Sequence, residues 1–192
     1  MKTKFYRNTG AFVVALAILG CNQLRAESTA FDLIKEGNKY VGEQAKDKVV
    51  QIRSEPSVGS LTPNVWAVVY YDPTATLKAV EVKFGAGKMI DVKRPVRLLE
   101  PITGQDQPLD SSKLKIDSDK ALAIAQQEPM LEKLTLKSSQ LKLERSGGEV
   151  VWKIRLWALK QSNTGTADIG EVFVSAETGK VTKTDLHTKS AF

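Results

Sequence analysis

The residue types that carry out most enzyme catalysis are sparse in this chain of 192 residues. Its single histidine, His187, lies close to the C-terminus, and Ser-His-Asp chemistry needs a histidine held on a rigid element. One histidine, one cysteine and no clustered spacing of Asp or Glu also fall short of a metal site. No pair of carboxylates stands out for glycoside hydrolysis. We therefore expect His187 to be solvated and frayed, and we expect no catalytic residue, no metal and no enzyme activity.

Two glycine-containing segments superficially resemble phosphate-binding loops. Gly85-Ala86-Gly87-Lys88-Met89 lacks the upstream glycine spacing and has Met89 where Ser or Thr would hold magnesium. Thr178-Gly179-Lys180-Val181 fails for the same reasons. Because glycine supplies the positive φ that hairpin turns require, both segments predict turns, and no cofactor is expected.

The start of the chain has the composition of an export signal. A positive stretch with Lys2, Lys4 and Arg7 precedes an uncharged apolar run at residues 11–20. That run is shorter than the roughly 20 residues that a membrane-spanning helix needs. We therefore expect the mature protein in the periplasm or outside the cell.

Two processing sites compete in this leader. Ile18-Leu19-Gly20-Cys21 is similar to a lipobox, in which the cysteine becomes the lipidated N-terminus, whereas Leu24-Arg25-Ala26 is similar to an ordinary signal-peptidase site. The signal therefore covers residues 1–26, or ends at residue 20 in the lipoprotein alternative, and both stay open. Cys21 is the only cysteine, so no intramolecular disulfide is expected. Membrane contact is expected only if Cys21 carries lipid.

The positive charge of the chain belongs largely to its leader. The formal net charge is +6, from 28 basic and 22 acidic residues. Lys2, Lys4, Arg7 and Arg25 are four of the basic residues, and the first 26 residues contain no acid, so the remainder carries a net charge of +2. Because nucleic-acid binding requires a concentrated basic surface, no nucleic-acid partner is expected.

Hydrophobic periodicity divides the mature chain into two similar halves. Residues 28–46 have helical spacing, with Thr29 as the expected N-cap, and a second helix is predicted from Asp117 or Ser118 to Pro129. The predicted strands of the first half occupy residues 49–52, 65–71, 77–84 and 89–92. Those of the second half lie around Leu141 and Leu143, at 150–159, at 171–176 and at 180–184, with a polar loop at 161–168.

The strands of the two halves also resemble each other in sequence. Val65-Trp66-Ala67-Val68-Val69-Tyr70 is similar to Val151-Trp152-Lys153-Ile154-Arg155-Leu156, and in each half a Val-x-Val strand leads into a Gly-Lys turn. We therefore predict an α+β protein with two tandem modules, residues 28–93 and 117–186, joined by a proline-containing connector at 94–116. Each module is expected to pack one helix on a three- or four-stranded antiparallel sheet.

The second half resembles a PepSY domain. Asp117 to Ala125 is similar to the opening helix of that family, Val151-Trp152-Lys153-Ile154 to its central strand, and Glu171 to Val181 to its closing hairpin. Ser175 stands where the family favours an acidic residue, and the likeness extends more faintly over residues 31–93. The resemblance implies an extracytoplasmic regulatory or inhibitory module, in some cases acting beside a peptidase, and it names no ligand.

Strand alternation predicts which side chains face outward on each sheet. In the second half Trp152, Ile154 and Leu156 share the inner face, with Val172 and Val174 as their neighbours. The outer face would then carry Lys153, Arg155, Trp157, Leu159, Phe173 and Ser175. In the first half Trp66, Val68 and Tyr70 point inward, and the outer face would carry Val65, Ala67, Val69 and Tyr71, which is unusually apolar for an exposed surface.

These outer faces contain the candidate binding residues. Trp157, Phe173, Arg155, Val69 and Tyr71 are predicted either to contact a partner or to be covered within the chain. The favoured function is binding of a protein or peptide of the cell envelope, without chemistry, through an outer sheet face or an unpaired edge strand. Two alternatives are a carrier of a lipid or small hydrophobic ligand, which needs an enclosed apolar pocket, and an enzyme with an unrecognised site.

Overall fold

The computed structural model describes residues 28–94, 107–162 and 165–191. The leader, both of its alternative processing sites and Cys21 lie outside these residues, as does much of the predicted connector. Two α-helices lie within them, α1 (Ala30–Gly37) and α2 (Ser118–Gln126). The eight strands there are β1 (Val49–Ser54), β2 (Val65–Tyr71), β3 (Ala79–Gly85), β4 (Lys88–Lys93), β5 (Leu136–Ser146), β6 (Glu149–Leu159), β7 (Thr166–Ser175) and β8 (Val181–Leu186).

All eight strands belong to one antiparallel sheet with the order β4-β3-β2-β1-β5-β6-β7-β8. Each half contributes four neighbouring strands, and β1 and β5 join the halves at the centre of the sheet. The prediction of two tandem α+β modules, each with its own sheet, is therefore wrong: the described part of the chain is largely β, with two short α-helices. Pairing of β1 with β5 is favourable because it removes two edge strands that separate modules would leave unpaired.

The join between β1 and β5 is made mostly by polar side chains. Ladder pairing is limited to Ile52 opposite Leu143 and Arg53 opposite Lys142. Beyond it, the Leu141 amide donates to Ser54 Oγ at 2.9 Å and the Ser139 amide donates to Ser57 Oγ at 2.9 Å. Both serines are buried, so their hydroxyls satisfy backbone groups that the shortened ladder would otherwise leave without partners.

The two helices lie on the same face of the sheet and meet at their N-termini. Asp117, the N-cap of α2, accepts from the amides of Ser118 (2.6 Å) and of Phe31 in α1 (3.2 Å). Ser118 Oγ accepts from the Ala30 amide at 3.1 Å. The predicted N-cap Thr29 makes no capping bond with its side chain, so the free amides of α1 are satisfied by the other half of the chain.

One hydrophobic core beneath the helices includes residues of both halves. Trp66 and Trp152 meet edge to face with ring centroids 6.4 Å apart, and Phe31 stacks on Trp152 at 6.2 Å. Every side chain predicted to point inward in either half is buried. That core is continuous across the β1–β5 join, which is why the two halves do not form separate bodies.

The first helix is shorter than predicted. It ends at Gly37, and Asn38 occupies the C-cap position, whereas helical spacing continues in the sequence to residue 46. A Cβ on Gly37 would lie 2.1 Å from the Tyr70 hydroxyl, which donates to the Ile34 carbonyl at 2.9 Å. The absence of a side chain at Gly37 therefore lets the end of α1 lie directly on β2. Within the described residues no helix is long and apolar enough to cross a membrane.

Candidate binding surface on the open face of the sheet

The sheet face opposite the helices, here called the open face, carries a row of cations that runs across the strands. Strand register aligns Lys83, Ala67, Arg53, Lys142, Lys153, Phe173 and Lys183 from β3 to β8. Like charges directly opposite each other are destabilising. Each cation of the row is paired with an acid from a neighbouring row, namely Lys83–Glu55 (2.5 Å), Arg53–Glu81, Lys142–Glu144 (2.6 Å), Lys153–Glu171 (3.0 Å) and Lys183–Asp185 (3.7 Å).

A small cluster buries the apolar part of the open face in the first half. Val69 is only 2% exposed because it packs with Val50 and Ala79, and Tyr71 is half-buried beside it. Gln51 and Glu81 both lie directly opposite Val69, on either side of it. Arg53 donates to Gln51 at 3.0 Å and also to Glu81, so it links the two residues that flank Val69. Val69 offers no surface to a partner, whereas Tyr71 keeps partial exposure and stays a predicted contact residue.

In the second half the structure brings four predicted aromatic and cationic residues together with Lys183 of β8, which was not predicted. Lys153 Nζ lies 5.8 Å and Lys183 Nζ 5.1 Å from the centre of the Phe173 ring, and the Arg155 guanidinium lies 5.6 Å from the Trp157 ring. Both aromatic residues are half-buried. These distances are typical of cation–π contacts. We call these five residues the aromatic–cation patch.

Asp168 lies at one end of this patch, where it fixes the position of Arg155. Its carboxylate accepts from Arg155 Nε at 2.8 Å and from the Gly170 amide at 2.9 Å, and it lies 4.0 Å from His187. Burial acts to raise the pKa of Asp168, but the hydrogen bonds from Arg155 and from the Gly170 amide outweigh it, so the pKa lies below its ordinary value. The same hydrogen bond raises the pKa of Arg155. These groups form a charge-assisted network.

Local sequence patterns did not indicate the roles of Asp168 and Lys183. Asp168 was predicted to be in a polar loop, but β7 begins at Thr166 and a bulge beside Trp157 brings Asp168 opposite that ring. Lys183 could have been found from the hairpin register of β7 and β8, which places it opposite Phe173. His187 is solvated as predicted, with 61% of its side chain exposed. It is not frayed, because its amide donates to the Ile169 carbonyl at 3.0 Å.

A surface groove of about 370 Å³ lies beside the β5–β6 turn. Its lining includes six charged residues, which are Asp110, Lys113, Arg145, Glu149, Glu177 and Lys180. Hydrogen bonds from the Ser112 hydroxyl and amide hold the pKa of Asp110 below its ordinary value. Because half of its twelve lining residues are charged, this groove differs from the mainly hydrophobic, enclosed pocket that a carrier of a hydrophobic ligand requires.

Among the described residues, no cluster of three or more His, Cys, Asp or Glu side chains is arranged to hold a metal ion. That finding covers only those residues, so the expectations of no metal and no catalysis for the whole chain stay predictions.

Comparisons with known proteins identify the fold but no family. No protein-family model and no curated protein matches the chain. Its structure is similar to the crystal structure of a "putative lipoprotein" from Clostridium difficile 630, with a TM-score of 0.52 and 18% sequence identity. The alignment covers 84% of this chain and 94% of that one. At this identity the likeness shows a shared fold alone, and the resemblance to PepSY domains stays a prediction.

Proposed function

We propose that this chain is an exported, non-catalytic binding protein of the cell envelope, which recognises a protein or peptide through the aromatic–cation patch. The export-type leader and the fold shared with a protein described as a "putative lipoprotein" support the location. The PepSY resemblance favours a regulatory role, such as inhibition of an envelope enzyme. Lipidation at Cys21 is part of the same proposal, with cleavage after Ala26 as its alternative.

The observation that carries the proposal is the pair of half-buried aromatic rings among charged side chains on the open face. Trp157 and Phe173 each retain solvent contact, and each lies against at least one cation. Aromatic side chains and arginine are enriched among the residues that dominate binding energies at protein interfaces. A partner that suits the patch would bring apolar groups to the rings and carboxylates to Lys183 and Arg155.

The double variant Trp157→Ser/Phe173→Ser tests this proposal. The matched control is Val58→Ser/Met130→Ser, which removes two other exposed apolar side chains. Each purified exported protein is incubated with envelope extract, and captured proteins are quantified by mass spectrometry. We expect the patch variant to fold, as judged by circular dichroism, and to lose at least about tenfold of a partner that the control retains, equivalent to about 1.4 kcal/mol.

Two results would contradict the proposal. Equal capture by the wild type, the patch variant and the control would show that the patch does not contribute to recognition. Loss of folding in the patch variant alone would assign the two rings to the stability of the sheet.

A further inference from the structure

Strand β4, at one edge of the sheet, exposes an unusual number of apolar side chains. Met89 is 37% exposed, Ile90 57% and Val92 41%. Edge strands are normally protected by charged residues, bulges or a covering element, because exposed apolar edges promote association. At the opposite edge, β8 exposes mainly Thr, Lys and Asp. The two edge strands therefore differ: β4 exposes apolar side chains and β8 does not.

Tyr40, a partly exposed aromatic residue, lies near the apolar side chains of β4. Met89 lies opposite Phe84 and Val92 lies opposite Val82, so both belong to the helix-covered side of the sheet. Ile90, at the bulge, lies 3.5 Å from the Cβ position of Gly85 on the open side of the same edge, so apolar side chains line both sides of β4. Tyr40, 37% exposed, packs edge-on against Phe84 with centroids 6.5 Å apart. We call Tyr40, Met89, Ile90 and Val92 the β4 ridge.

Cations flank the β4 ridge at both ends of the strand. Lys88 precedes it, and Lys93 and Arg94 follow it, against the single acid Asp91 between them. Lys93 and Arg94 are each about 63% exposed even though they pair with Asp91 and Asp72. Apolar side chains bordered by lysine and arginine are the arrangement that interfacial membrane segments use on anionic lipid.

Pairing of β4 with another strand fits the structure less well. Ile90 lies at a bulge, where the register between β3 and β4 shifts. Bulges bend and twist an edge strand, and charged side chains oppose pairing, so both features protect β4 from strand addition. A surface that accepts apolar side chains without requiring a regular backbone ladder suits the ridge better.

The chain enters the fold beside this same hairpin. A Cβ on Gly87, in the β3–β4 turn, would lie 2.5 Å from Ser28 Oγ. Cys21 precedes Ser28 by seven residues, a length of chain that reaches at most about 25 Å when fully extended. Lipid at Cys21 would therefore keep this end of the β4 ridge within that distance of the bilayer.

We propose that the β4 ridge is a membrane-contact site that seats the protein on an anionic lipid surface. The apolar side chains enter the boundary between headgroups and acyl chains, while Lys88, Lys93 and Arg94 contact lipid phosphates. With a lipid on Cys21, the ridge supplies the second attachment and orients the sheet relative to the bilayer. The contact does not depend on the partner proposed for the aromatic–cation patch, which lies on strands at the other end of the sheet.

An environment-sensitive fluorophore at position 90 tests this proposal. Ile90→Cys places a thiol on the ridge, and Thr184→Cys places one on β8 at the opposite edge as the matched control. Each exported, labelled protein is mixed with phosphatidylcholine vesicles, with or without about 30% phosphatidylglycerol. On the anionic vesicles we expect a blue shift and about threefold protection from iodide quenching at position 90 but not at 184. Lys88→Gln/Lys93→Gln in the Ile90→Cys protein should lower this protection.

Several outcomes would overturn the proposal. Equal quenching at position 90 with and without vesicles would show that the ridge stays in water. Protection without vesicles that disappears on dilution would assign the ridge to contact between two copies of the chain. Protection by an added envelope protein fraction but not by vesicles would assign it to a protein partner. Val92→Cys provides a second label position if Ile90→Cys does not fold.

Discussion

Val69 shows how neighbouring strands change the exposure of a single residue. By itself, β2 has an apolar side chain at almost every position, including Val69 on the open face. Val69 is buried against Val50 of β1 and Ala79 of β3, and Arg53 links Gln51 and Glu81 on either side of it. The burial of Val69 therefore requires no partner protein.

Gly170 is a residue at which we expect a large effect from a single methyl group. Its φ is +103°, and an added Cβ would lie 2.1 Å from the Asp185 carbonyl oxygen of β8. Gly165 has the same φ but nothing within 4 Å of the position of its Cβ. We expect Gly165→Ala to lower the free energy of unfolding by about 1 kcal/mol through backbone strain. Gly170→Ala should lower it by about 3 kcal/mol or more, because β8 must also move.

Urea denaturation of the two alanine variants measures this difference. Equal losses in the two variants would mean that β8 moves away from Gly170 without cost, contrary to the prediction.

At the scale of elements, the join between β1 and β5 depends on serine hydroxyls. Ser57 Oγ accepts from the Ser139 amide and donates to the Ser60 carbonyl at 2.7 Å, and the Ser57 amide donates to the Ser139 carbonyl at 2.8 Å. A serine between two predicted strands resembles any loop residue in sequence. Ser57 becomes part of the sheet only because β5 lies beside it and bonds to it through Ser139.

Ser57→Ala tests the contribution of this join. It leaves the buried Ser139 amide without its acceptor, so we expect the free energy of unfolding to fall by about 1–3 kcal/mol. Ser60→Ala is the control, because its exposed hydroxyl donates only to the nearby Thr62 carbonyl; a change within about 0.5 kcal/mol is expected there. Chemical denaturation of both variants provides the measurement. Similar small losses for the two would argue that other bonds carry the join.

At the scale of the whole molecule, the shared sheet and core predict a single unfolding transition. The two halves contact each other through β1 and β5, through the helix N-termini and through Trp66 against Trp152. Elements that share one core usually unfold together. We expect urea unfolding followed by far-ultraviolet circular dichroism and by tryptophan fluorescence to give coincident curves.

Trp66→Phe places both remaining tryptophans in the second half of the chain. Of these, Trp152 stacks on Phe31 of the first half, whereas Trp157 lies on the open face of the second half. A fluorescence transition clearly separated from the circular-dichroism transition would show that the halves unfold independently, as the predicted tandem modules would.

Local patterns in the sequence predicted where most of the strands lie and which side chains form the core. Alternation along β6 and β7 correctly predicted that Trp152, Ile154, Leu156, Val172 and Val174 are buried, because side chains in a strand alternate between faces whatever lies beyond it. The start of α2 was also predictable, since Asp117 is an N-cap residue directly before an apolar run.

Contacts between distant segments were decided only by the tertiary structure. Three features depend on how strands align in register: the pairing of β1 with β5, the burial of Val69 against Val50 and Ala79, and the approach of Asp168 to Arg155 and His187. Strand propensity and alternation are properties of a few neighbouring residues, whereas register depends on the packing of the entire sheet. The periodic sequence therefore determined two sets of similar elements, and long-range packing joined them into one eight-stranded sheet.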